Sequence, residues 1–153
     1  MSSLKDRLRT DLTTAMKARD EVRSATLRMV LTALSNAEVA GKEQRELSDD
    51  EVVGLLSTEA KKRREAATAF DEGGRTEKAD QERAELAVLT DYLPQQLSEQ
   101  EIADIVTAAI EQTGAAGEGM KAMGKVMGVV QPRVKGRADG SAVAAEVRRQ
   151  LGS

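Results

Sequence analysis

The sequence predicts an all-α protein in two parts. A bundle of about four helices occupies residues 1–95, and a small three-helix module occupies 96–153. Aromatic side chains are nearly absent, with Phe70 and Tyr92 alone among 153 residues. A core of Leu, Val, Ile, Met and Ala suits helix-on-helix packing and fills a β-sandwich poorly. Apolar residues recur every three or four positions, and no stretch alternates with the period of a strand. Pro94 lacks the N–H a helix interior needs and pushes Leu93 toward an extended form, so the boundary between the parts falls there.

The first helix follows from Leu4, Leu8, Leu12, Ala15 and Met16, with Ser3 able to cap it. Leu27, Val30, Leu31 and Leu34 give a second, from about Glu21 to Ala40, closed by Gly41. "SDDE" at Ser48–Glu51 is a capping box, and Val52, Val53, Leu55 and Leu56 open a long third helix to about Phe70. "EGGR" breaks it at residues 72–75. Ala79, Leu86, Leu89 and Leu93 then form the inner face of a fourth. After Pro94, "SEQE" at Ser98–Glu101 is a second capping box. Ile102, Ile105, Val106, Ala109 and Ile110 follow, and Gly114 closes that helix. A Met-rich helix ends near Pro132 and Gly136. Ser141 is expected to cap a last helix with Val143, Val147 and Leu151 inside.

Composition also excludes. There is no Cys, hence no thiolate nucleophile, disulfide or thiolate metal site, and no His, hence no imidazole base or His-bearing zinc site. No catalytic residue, metal or cofactor is expected. No apolar run approaches the roughly 20 residues of a membrane span. "MSSLKDRLRTDL" has no apolar core of a signal peptide. The expected location is cytoplasmic, with no membrane partner.

The net charge of −3 hides an asymmetry. Residues 98–119 hold Glu99, Glu101, Asp104, Glu111 and Glu118 and no basic residue. Residues 120–153 set Lys121, Lys125, Arg133, Lys135, Arg137, Arg148 and Arg149 against Asp139 and Glu146, a net of +5. Two readings stand: a face paired with the preceding acidic stretch, or an anion-binding face.

"MGKVMGVVQPRVKGRADGSAV", Met123–Val143, concentrates the question. Gly119 to Val126 nearly spells a phosphate loop, but Val126 has no hydroxyl for magnesium and no strand precedes it. Met120, Met123, Met127 and Val130 share a helical face and read as core. Gly124 and Gly128, four apart, read as the close approach of another helix. "QPRVKGRADGS" sets Arg133, Lys135 and Arg137 at alternate positions in a loop beside a helix N-terminus. Such a place attracts anions, phosphates included. It also serves simply as a connector whose glycines set geometry. "EAKKRREAATAF" (59–70) reads as an exposed helical face with Glu59/Arg63 and Lys61/Glu65 pairs. The carboxylates of Asp49 and Asp50 cap rather than catalyse.

These blocks resemble a family. "LRMVLTAL" (27–34), "EAKKRREAATAF", "YLPQQLSEQEI" (92–102) and "MGKVMGVVQPRVKGRADGS" (123–141) are similar, in order, to the small bacterial YqeY proteins. The later part resembles the tail domain of the GatB subunit of tRNA-dependent amidotransferase, a module also appended to some glutaminyl-tRNA synthetases. The last two blocks are specific; helical runs of Ala, Lys and Glu are not. The resemblance implies an all-helical bundle followed by a three-helix module, and a tail that grips tRNA while chemistry happens elsewhere. The catalytic cradle of GatB has no counterpart here. A label of carbon–nitrogen ligase with glutamine as amido donor would come from the tail alone, and these residues give it no support. The expectation is therefore a tRNA-binding accessory protein without chemistry of its own. Lys125, Arg133, Lys135 and Arg137 would meet phosphates, Gly136 and Gly140 would admit backbone, and Lys121, Arg148 and Arg149 would widen the patch. The alternative is a protein-docking module for an amidotransferase or an aminoacyl-tRNA synthetase, meeting it through the Met123–Val130 face or the acidic helix.

Overall fold

Two Ser-x-x-Glu capping boxes set the main helix starts. In the computed structural model, which describes residues 3–152, Ser48 and Ser98 each accept from the amide three residues on. The glutamate there reaches back to the cap amide. The elements are α1 (Ser3–Lys17), α2 (Glu21–Val39), α3 (Asp49–Glu72), α4 (Thr76–Thr90), α5 (Glu99–Thr113), a 3-10 turn (Gly119–Ala122), α6 (Met123–Val134) and α7 (Gly140–Leu151). No strand occurs among the described residues, so the all-α expectation holds. No helix among them is long and apolar enough to cross a membrane.

The chain divides into two compact units, Met1–Leu93 and Pro94–Ser153. In the first, α1–α4 close over Leu8, Leu27, Val30, Leu34, Val52, Leu56 and Leu89, all fully buried. Several polar devices set the register. Asp49 at the start of α3 accepts from the Leu4 amide at 3.1 Å and the Ser3 hydroxyl at 2.8 Å. The first turn of α1 is thus capped from another helix, and Ser3 lies inside α1 instead of ahead of it. Lys5 and Glu38 form a buried ion pair, and Glu38 also accepts from the Leu47 amide at 3.1 Å. Those two partners hold its carboxyl below the usual range, Lys5 first. Glu59/Arg63 and Lys61/Glu65 pair as expected, at 3.3 and 3.9 Å. Arg63, however, is only 11% exposed and also faces Glu85 at 3.1 Å and Glu82 at 3.7 Å, so this helix face is not simply solvated. Burial, ahead of the neighbouring Glu82, pushes the Glu85 carboxyl up. Gly41 lies beyond the α2 cap Ala40, which keeps a right-handed conformation.

In the second unit the core is aliphatic. Ile102, Val106, Ala109 and Ile110 of α5 meet Ala122, Val126, Val130 and Val134, with Val143, Val147 and Leu151 of α7. Valines four apart suit this, since each has one preferred rotamer in a helix. Gly114 ends α5 in the left-handed conformation, φ 67°. The expected Met stripe needs correction. The inward line is Ala122–Val126–Val130–Val134, while Met123 and Met127 pack at its edge and Met120 is 48% exposed. The glycine reading needs correction as well. Gly124 and Gly128 are exposed, and a Cβ at either would meet nothing within 4 Å. Among the described residues of this unit, no helix approaches through them.

Candidate nucleic-acid interface

The basic stretch is built by a helix that ends and a chain that turns. Pro132 sits in the last turn of α6. Having no N–H, it leaves the Gly128 carbonyl without its helical donor. The helix runs two residues further, so Arg133 lies on α6 and not in a loop. Lys135 then leaves helical geometry (φ −54°, ψ 123°), and Gly136 takes φ 74°. A side chain at Gly136 would be strained there. The Arg137 amide closes the turn onto the Val134 carbonyl at 2.8 Å.

A short segment clasps this turn from outside. The Leu97 amide donates to the Arg137 carbonyl at 2.8 Å. The Gln96 side-chain amide donates to the Gly136 carbonyl at 3.0 Å and to the Pro94 carbonyl at 2.8 Å. The Arg137 guanidinium returns a bond to the Gln95 carbonyl at 3.3 Å. "LPQQL" and "VKGRAD", from the two most specific blocks of the sequence, therefore lock together. Sequence reasoning missed Gln95, Gln96 and Leu97; the paired glutamines after Pro94 were the available signal.

Lys135 is exposed and makes no ion pair among the described residues. Arg133 is exposed and donates to the Gln112 side-chain oxygen at 2.6 Å. Arg137 is half-buried, and its charge contributes to holding Glu101 below the usual carboxylate range, after the bonds from Ser98. Arg133 stands in the last turn of α6, Lys135, Gly136 and Arg137 form the turn after it, and Gly140 opens α7 just beyond. Lys125 pairs with Glu118 at 3.0 Å and stands eight residues before Arg133, about 12 Å along the helix axis. Lys121 is exposed on the 3-10 turn. Arg148 is exposed, and Arg149 is engaged by Glu146, whose carboxyl it holds down to about 2 with help from Gln150. These last two lie a further eight and nine residues along α7 from Gly140, again about 12 Å or more. One compact cluster thus stands with more distant flanks.

The cap of α7 differs from expectation. Asp139, not Ser141, is the N-cap, and it accepts from the Ser141 amide at 3.2 Å. Its carboxylate already faces the first-turn amides, so this N-terminus offers less to an anion than a neutral serine cap would. Among the described residues no group of three or more acidic side chains is arranged to hold a metal.

The fold and the site define an all-helical, two-unit protein whose second unit displays a clasped cationic turn. The chain belongs to the YqeY-like protein family, whose model matches residues 5–151. It is also similar to the altered inheritance of mitochondria protein 41, mitochondrial, of Pyrenophora tritici-repentis (strain Pt-1C-BFP). The two are 28% identical over 150 residues, which cover 96% of this chain and 80% of that protein.

Proposed function

We propose that this protein is an accessory module that grips the sugar-phosphate backbone of tRNA or another structured RNA and performs no reaction of its own. One observation carries the reading. Arg133 and Arg137 are held by neutral oxygens, those of Gln112 and Gln95, and among the described residues Lys135 is held by none and no direct ion pair neutralises the three. Cations fixed before binding lose less side-chain freedom on meeting a phosphate. Lys121, Lys125, Arg148 and Arg149 extend the field, and Gly136 and Gly140 let a backbone come near. With Phe70 and Tyr92 both in the other unit, recognition rests on shape and charge more than on aromatic stacking.

The test is a tRNA titration at about 50 and 200 mM salt. Wild type is compared with the Arg133→Ala/Lys135→Ala double variant, which spares the Arg137 clasp. The double variant should bind more weakly, with a log–log salt slope shallower by about two. Equal affinity and slope would remove these residues from the interface. A second reading, docking onto an amidotransferase or an aminoacyl-tRNA synthetase, draws on the open Gly124/Gly128 face. Capture of such an enzyme that survives RNase treatment would favour it. Glutamine-dependent carbon–nitrogen ligase activity is the weakest reading, and glutaminase and amidotransferase assays on the purified chain should stay blank.

A further inference from the structure

Between the end of α6, the basic turn and the start of α7 lies a groove of about 540 Å³. Gly128, Pro132, Ala138 and Gly140 form its apolar walls, and Gln131 and Lys135 are its polar lining. The volume falls within the roughly 300–1,000 Å³ of small-ligand pockets. A Cβ at Gly128 or Gly140 would meet nothing within 4 Å, so the backbone can be approached at both ends. Neither the Gln131 amide nor the Lys135 ammonium has a hydrogen-bond or ion-pair partner among the described residues. The Gly128 carbonyl lacks its helical donor because of Pro132.

We infer that this groove is a nucleotide subsite, taking one extruded, unpaired nucleotide of the bound RNA. The inference rests on the RNA-binding reading and names which part of the RNA is held. A wall of two glycines and a proline ring accepts a planar base that side chains would exclude. Gln131 offers both a donor and an acceptor to a base edge. Lys135 on the rim takes the phosphate of the same nucleotide. A purely apolar occupant would use the wall alone, whereas a nucleotide meets the wall with its base and the exposed lysine and amide with its polar groups. The charge agrees: residues 120–153 carry a net of +5. RNA offers such nucleotides in loops, bulges and ends and not in a blunt duplex.

The experiment uses the full chain and two RNA probes of equal phosphate number, a hairpin with an unpaired loop and a blunt duplex. Gly128→Leu fills the groove from an open helical position. Gly124→Leu, one turn earlier on α6 and outside the groove lining, is the control. Circular dichroism checks that both fold. Gly128→Leu should weaken hairpin binding about tenfold, the scale of losing one well-made hydrogen-bonded base contact, and leave duplex binding unchanged. Gly124→Leu should change neither. Equal hairpin binding by Gly128→Leu and wild type overturns the subsite while leaving the backbone reading intact. Absence of binding to either probe by wild type overturns both. Loss of an RNase-resistant protein capture in Gly128→Leu, with hairpin binding kept, reassigns the groove to a protein and overturns the nucleotide.

Discussion

Gly124→Ala and Gly128→Ala should each stabilise the protein. Both glycines lie inside α6, exposed, with open space where a Cβ would go. Glycine in a helix interior costs about 0.5–1 kcal/mol relative to alanine. The two positions are neighbours one turn apart, where two methyl groups have no adverse contact, so the double variant should gain up to about 1–2 kcal/mol. In a unit spanning Pro94–Ser153, about 1 kcal/mol corresponds to roughly 4–8 °C in melting temperature, so the double variant should gain about 4–16 °C. The assay is thermal unfolding followed by far-UV circular dichroism and by Tyr92 fluorescence. The dichroism reports every helix. The fluorescence reports only the first unit, since residues 94–153 hold no aromatic side chain. The gain should appear in the dichroism component that Tyr92 does not follow. A fall in midpoint for either variant would mean that something packs on these glycines, and the open face would be wrong.

Two further outcomes concern the first unit. Burial, then the bond to Asp11 at 2.5 Å, pushes the Tyr92 phenol up to about 12, above its ordinary 10. A raised folded value means a stabilising contribution complete below pH 10 and lost as pH climbs toward 12. Ultraviolet titration of this one tyrosine should show tyrosinate forming near 12 in the native protein, and a midpoint near 10 would refute the environment described. Arg63→Ala should destabilise by about 2 kcal/mol at neutral pH, because Glu59, Glu82 and Glu85 lose their shared cation while partly buried. Urea unfolding measures it, and a change under about 0.5 kcal/mol, the range of ordinary surface substitutions, would mean that solvent screens the cluster.

Local chemistry was legible in the sequence where it acts over a few residues. The Ser48/Glu51 and Ser98/Glu101 boxes and the Gly114 closure depend only on neighbours, and they stand where the pattern placed them. Phase around a helix was less legible. In α6 the Met line and the Val line are adjacent stripes of one apolar surface, and only packing against α5 and α7 decides which turns inward. Spacing likewise told that Gly124 and Gly128 share a face, but not that the face is open. Asp139 and Ser141 are both good caps by type, so residue preference alone did not decide between them; the helix starts at Gly140 and Asp139 caps it. The cations of the candidate site were visible as residue types. Their support was not. The Leu97–Arg137 bond joins main-chain atoms 40 positions apart, and backbone groups leave no mark in a side-chain pattern.

That bond has a kinetic consequence. Closing a loop of this length costs chain entropy before any contact repays it, whereas the turns inside α5, α6 and α7 form from neighbours. The clasp should therefore be among the last contacts made in folding and among the first to open from the native state. Opening it also lifts the half-buried Leu97 from the edge of the valine core but leaves the fully buried valines in place, so it is a local opening well below global unfolding. Amide exchange at Leu97, the donor of that bond, should outrun that at Val126 and Val130. Whatever the turn holds will draw the exchange of that amide down toward that of the core.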